Sequence, residues 1–95
     1  MNDRDKRAAG NEQARRIKQY ENIMREAQMM LDGSLDYDPE ALRDMADELE
    51  AYYKSPEWKR DFADDEAGRL SKGLKRGVLS EDGIYNLLEA IGEGR

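Results

Sequence analysis

Two runs of apolar residues constrain what this chain can fold into more than any other feature. Ile17, Tyr20, Met24, Ala27 and Leu31 recur at intervals of three and four, which puts them on one stripe of an α-helix. Ala14, Ile23 and Met30 widen that stripe. Leu42, Met45, Leu49 and Tyr52 repeat the spacing, with Ala46 and Tyr53 beside them. The first run predicts a helix over 11–32, ended by Gly33 at the position that favours a left-handed residue. The second predicts a helix over 39–54, with Asp38 as N-cap and Pro39 in the first helical position. Glu40 follows in the first turn, where the helix dipole favours an acid. So short a link makes the two helices an antiparallel hairpin. Nothing alternates with period two, so no sheet is expected.

The same punctuation returns downstream. In SPEWKRDFADDEAG, Ser55 reads as an N-cap, Pro56 opens a short third helix and Gly68 stops it. Trp58 and Phe62 lie one turn apart on one face. Residues 69–79 are irregular, and Leu70, Leu74, Val78 and Leu79 are expected to pin them to the core. In VLSEDGIYNLLEAIGEGR, Ser80 caps a final helix with Glu81 and Asp82 in its first turn. Leu79 and Ile84 have hydrophobic-staple spacing. Ile84, Leu87, Leu88 and Ile91 supply its apolar face, and Gly92 its stop. Gly83 in its first turn costs up to about 1 kcal/mol against Ala. The reading is therefore all-α: an antiparallel helical hairpin, a short third helix and a capped C-terminal helix. Residues 1–10 are expected to be a flexible arm, 11–92 one helical domain and 93–95 a tail.

From AYYKSPEWKRDFADDEAG into LKRGVLSEDGIYNLLE, the chain resembles a family of small, acidic bacterial proteins classed as domain of unknown function four-two-nine-eight. The resemblance rests on Tyr52-Tyr53, Trp58, Asp61-Phe62, Asp65 with Gly68, and the run Leu74-Lys75-Arg76-Gly77-Val78-Leu79-Ser80-Glu81-Asp82, then Tyr85 and Leu87-Leu88. It covers about Tyr52 to Glu89. It implies an α-helical fold with a helical hairpin, and it carries over no activity and no functional residue.

Composition removes several chemistries. With no Cys and no His, disulfides, thiolate nucleophiles, imidazole bases and nearly all zinc or transition-metal sites drop out. No apolar run approaches the roughly 20 residues of a membrane span, and the first residues lack the apolar core of a signal peptide. A cytoplasmic protein is expected, with no cofactor. The net charge of −6 is uneven: residues 34–70 carry five basic and twelve acidic groups, whereas residues 1–33 carry seven and six. A chain with its acid gathered in the middle is expected not to bind nucleic acid directly, and its natural partner is a basic protein surface.

DFADDEAG, residues 61–68, concentrates that acid. As a calcium loop of EF-hand type it fails in every register, because a Gly at position six and oxygen ligands at alternate positions are missing. On a helix Asp61, Asp64 and Asp65 share a face, which leaves a weak divalent site, a solvated face neutralised by Lys72, Lys75 and Arg76, or a contact surface. The aromatics Tyr52, Tyr53, Trp58, Phe62 and Tyr85 can anchor an interface or fill a small core, and core filling is the simpler use. Ser55 and Ser80 are accounted for as caps, a Ser triad needs the missing His, and GLKRG lacks the phosphate-loop ending. No catalytic, cofactor-binding or metal residue is assigned. The expected function is a non-enzymatic protein–protein interaction module using Asp61, Asp64, Asp65, Glu66, Trp58, Lys75 and Arg76. The alternative is a phage or mobile-element inhibitor, of anti-CRISPR or DNA-mimic type, that blocks a nucleic-acid-binding enzyme. A minor hydrolytic or metal-dependent enzyme is the third reading. The stripe of the first helix spans about two heptads, short of a coiled coil, and the oligomeric state stays open between monomer and homodimer.

Overall fold

A computed structural model describes residues 3–93, with side chains described from 12 to 92. Four helices follow in order: α1 (Asp3–Asp32), α2 (Pro39–Tyr53), α3 (Pro56–Glu66) and α4 (Glu81–Glu93), with a 3-10 turn (Gly77–Leu79) ahead of α4. Among the described residues there is no strand.

The caps work as their chemistry dictates. The Asp38 carboxylate accepts the N–H groups of Glu40 and Ala41 at 3.1 and 3.2 Å. Ser55 Oγ accepts the Trp58 N–H at 3.2 Å. Gly33 and Gly68 take the left-handed backbone, with φ of +88° and +71°. At the end of α3, Gly68 N–H reaches Asp65 O (3.0 Å) and Arg69 N–H reaches Asp64 O (2.8 Å), the paired closure of a Schellman motif. Ser80 Oγ accepts the Gly83 N–H at 3.2 Å. A Cβ on Gly83 would lie 3.2 Å from that oxygen, so the propensity lost to glycine leaves the cap its space.

Two helix boundaries differ from the sequence expectation. α1 begins at Asp3 rather than residue 11. Arg4, Lys6, Arg7, Ala8 and Ala9 are strong helix formers, and they carry the helix through Gly10 despite its cost of about 1 kcal/mol. The expected arm thus has a helical backbone over residues 3–10, while its side chains, and residues 1 and 2 entirely, lie outside the described residues. α4 runs through Gly92 to Glu93, its last turn held down by the buried Ile91. Of the expected tail, residues 94 and 95 lie outside the described residues.

One core joins every element. Ile17, Met24 and Ala27 of α1 meet Leu42, Ala46, Leu49 and Tyr52 of α2, with Trp58, Leu74, Val78, Leu79, Ile84, Leu87 and Ile91 closing the far side. The rings of Tyr20 and Tyr52 stack, centroids 4.1 Å apart and planes within 4°. Tyr20 precedes the hairpin turn by about as many residues as Tyr52 follows it, so α1 and α2 run antiparallel. Leu31, expected in the stripe, is 40% exposed. It lies in the last turn of α1, beyond the level at which Leu42 of α2 first packs.

The 3-10 turn is where three helices are tied. Glu21 of α1 accepts the Val78 N–H at 2.8 Å, and the Trp58 indole of α3 donates to the Val78 carbonyl at 3.1 Å. Both backbone groups of Val78 are therefore taken by side chains distant in sequence. Leu79 and Ile84, both buried, form the staple into α4. Glu21 can come this close because position 77 has no side chain: a Cβ there would lie 3.1 Å from Glu21 Oε1. Replacing Gly77 by Ala should push the carboxylate off Val78 and cost about 1 kcal/mol, one hydrogen bond. In a Glu21→Ala background the same change should cost almost nothing. Urea midpoints of the four proteins in that cycle measure the coupling. Additive costs would show that Gly77 and Glu21 do not interact.

Candidate functional site

Asp61 is the fixed point of the acidic stretch, and it is fully buried. A carboxylate removed from water must be ion-paired and hydrogen-bonded to stay charged. Arg16 supplies a two-point contact, Nε to Oδ2 at 3.0 Å and NH2 to Oδ1 at 2.6 Å. The Tyr52 hydroxyl donates to Oδ2 at 2.5 Å, and the Gln13 amide donates to Oδ1 at 3.0 Å. Burial pushes the Asp61 carboxyl up, but the bonds from Arg16, Tyr52 and Gln13 outweigh it and hold the group below the ordinary carboxylate range. Tyr52 moves the other way: burial, then the charge it donates to, raise its phenol far above the usual value. Arg16 is raised by its bond to Asp61. Gln13, Arg16 and Tyr20 lie at three- and four-residue spacing on α1, so one flank of that helix supplies the cluster while Ile17 points into the core.

The remaining acids of the stretch are also engaged, with one exception. Gln13 donates to Asp64 at 2.8 Å, and Arg69 pairs with Asp64 at 3.0 Å. The Gln13 and Arg69 contacts, in that order, lower the Asp64 carboxyl. Arg76 pairs with Asp65 at 2.6 Å, which bears out the fold-back of a downstream cation. Lys72 and Lys75 form no such pair among the described residues. Glu66 is exposed and forms no ion pair among the described residues. Among the described residues, no three acidic side chains are placed to hold a metal ion.

This placement divides the seven residues expected at a partner contact. Asp61 and Trp58 are interior, 0% and 6% exposed, and offer nothing to the surface of the folded chain. Asp61 is recruited by Arg16 and Gln13, forty-five and forty-eight positions away; Trp58 is recruited by Val78 and by the rings of Tyr53 and Phe62. Asp64, Asp65 and Arg76 are half-buried and paired. Glu66 and Lys75 are exposed, on different elements. Of the aromatics among the described residues, Tyr37 and Tyr85 stand well out, 57% and 51% exposed, and the Tyr85 hydroxyl donates to Glu89 at 2.8 Å.

The free acid lies elsewhere. Glu40, Asp44, Asp47 and Glu48 recur along α2 at four-, three- and one-residue steps, opposite the buried Leu42, Ala46 and Leu49. All four are exposed, and none forms an ion pair among the described residues. Within 36–66 four acids thus share the outer face of α2, with the exposed Arg43 beside Asp44.

Fold and site together define a small all-α domain with a buried ionic cluster and an acidic outer helix. The family model for a domain of unknown function (DUF4298) matches residues 8–93, and the chain belongs to that family. The match reaches well beyond the stretch from Tyr52 to Glu89, taking in α1 and α2. No curated protein and no solved structure matches the chain. Among the described residues, no helix is long and apolar enough to cross a membrane.

The cluster has a pH signature. Because the folded value of Asp61 is depressed, its contribution to stability is complete above the ordinary Asp value and is lost as pH falls through the depressed one. Wild type should lose stability faster than Asp61→Asn below about pH 4. At neutral pH, Tyr52→Phe should cost about 1.5–3 kcal/mol, one hydrogen bond to a charged group. Asp61→Ala, which strands Arg16, should cost about 3–5 kcal/mol. Urea midpoints across pH check all three, and parallel acid limbs for wild type and Asp61→Asn would contradict the assignment.

Proposed function

We propose that the protein is a non-enzymatic protein–protein interaction module that presents the outer face of α2 to a basic partner surface. The observation that carries the reading is the separation of its acids. Asp61, Asp64 and Asp65 are spent inside the chain, whereas Glu40, Asp44, Asp47 and Glu48 stand exposed on one helix face and form no ion pair among the described residues. A row of like charges destabilises its own helix slightly, and opposite charge across an interface speeds and orients docking. A cytoplasmic location accompanies the proposal, supported by the absence of Cys.

The test is capture of partners from cell lysate by three proteins: wild type, Glu40→Gln/Asp44→Asn/Asp47→Asn/Glu48→Gln, and Asp64→Asn/Asp65→Asn/Glu66→Gln, each confirmed helical by circular dichroism. A partner with a basic surface should be held by the first and third, lost by the second, and released from wild type by salt that shortens screening to a few ångströms. Equal capture by all three would end the proposal. If the captured partner is a DNA-binding enzyme and DNA competes for it, the inhibitor form of the reading is the one to pursue.

A further inference from the structure

The chain is acidic overall, yet one groove in it is basic. It lies between α1 and the connection from α3 to α4, encloses about 300 Å3, and is lined by Lys18, Glu21, Asn22, Arg25, Gly73 and Lys75. Arg16, Lys54, Arg69 and Arg76 are each paired with an acid. Lys18, Arg25 and Lys75 are exposed and unpaired among the described residues, and they converge here from two elements. The carboxylate in the lining, Glu21, is turned toward the 3-10 turn, accepting the Val78 N–H at 2.8 Å. Three cations against one committed carboxylate make the groove locally positive in a chain of net charge −6.

The groove continues into a second space of about 330 Å3, lined by Ala14, Lys18, Ser71, Gly73 and Leu74. Lys18 and Gly73 belong to both. At Gly73, which lines both spaces, a Cβ would meet nothing within 4 Å. Lys18 and Arg25 are two helical turns apart, about 10 Å along the axis. Three cations spread over that length leave room for an anion longer than a single phosphate, two linked phosphates among them, and ammonium and guanidinium groups both suit phosphate oxygens.

We propose that this groove binds a diphosphate-bearing small molecule, with the phosphates against Lys18, Arg25 and Lys75 and a less polar body over Gly73 and Leu74. The test is titration of 15N-labelled protein with inorganic pyrophosphate and, separately, with ADP at constant ionic strength. Saturable shifts are expected at the amides of residues 18–25 and 71–75. Lys75→Gln should weaken both probes about tenfold, the loss of one charge-assisted contact. Gly73→Leu fills open space, so melting should stay unchanged while ADP is weakened more than pyrophosphate. Lys59→Gln, an exposed cation away from the groove, should change neither. No saturable shift at millimolar probe would overturn the proposal. So would equal weakening by Lys59→Gln and Lys75→Gln, which would make the effect general electrostatics. Tighter binding of a single-stranded oligonucleotide than of either probe would also overturn it, in favour of a nucleic-acid contact.

Discussion

A carboxylate with no access to water organises this domain. Asp61 binds Arg16 and Gln13 of α1 and Tyr52 of α2, so one charged group fixes how α3 sits against both arms of the hairpin. Apolar packing is tolerant of small shifts, but a two-point guanidinium contact is not, because its geometry falls away within fractions of an ångström. Ion pairs of this kind need not add net stability over an apolar replacement. Their effect is to make wrong arrangements expensive, since any packing that parts Arg16 from Asp61 strands a charge.

The helical layout was legible in the residues. The 3-4 spacing of apolar side chains and the Asp-Pro and Ser-Pro starts name α2 and α3 almost to the residue, and Gly33 and Gly68 end their helices in the left-handed backbone the reading required. What stayed hidden was the role of polar residues. Asp61 in DFADDEAG looks like its neighbours, and nothing local says that it alone faces inward. The signal was present but non-local: Gln13, Arg16 and Tyr20 make a polar row flanking the apolar stripe of α1, and Tyr52 ends the stripe of α2 with a hydroxyl. A buried acid is the natural reason for such a row, but pairing them requires the tertiary arrangement. Boundaries failed where the polar residues 1–10 were read as an arm and Gly92 as a stop. Gly10 and Gly92 lie within helices because their flanking residues favour the helix or are packed, and a right-handed backbone at glycine is only mildly unfavourable.

Charge in this chain is therefore sorted by use. Asp61, Asp64 and Asp65 of α3 are matched one by one with Arg16, Arg69 and Arg76, while the acids on the outer face of α2 form no ion pair among the described residues. Cations divide in the same way, with arginine doing most of the internal pairing and lysine left largely to solvent. Arginine's planar fork suits fixed two-point contacts, whereas the flexible, strongly hydrated lysine loses more when immobilised. Net charge alone conceals this sorting, because −6 sums over an α3 whose three aspartates are paired with arginines from other elements, an acidic α2 and a locally basic flank of α1.

Val78 carries a consequence for the motions of the domain. Its N–H is held by a carboxylate from α1 and its carbonyl by an indole from α3, so the turn is tied to α1 and α3 although it leads covalently into α4. Amide exchange at Val78 then requires the turn to separate from α1. Exchange in the middle of α2 requires the core itself to open. The difference between the two opening energies measures how far α4 and its lead-in can lift as a unit while the hairpin stays folded.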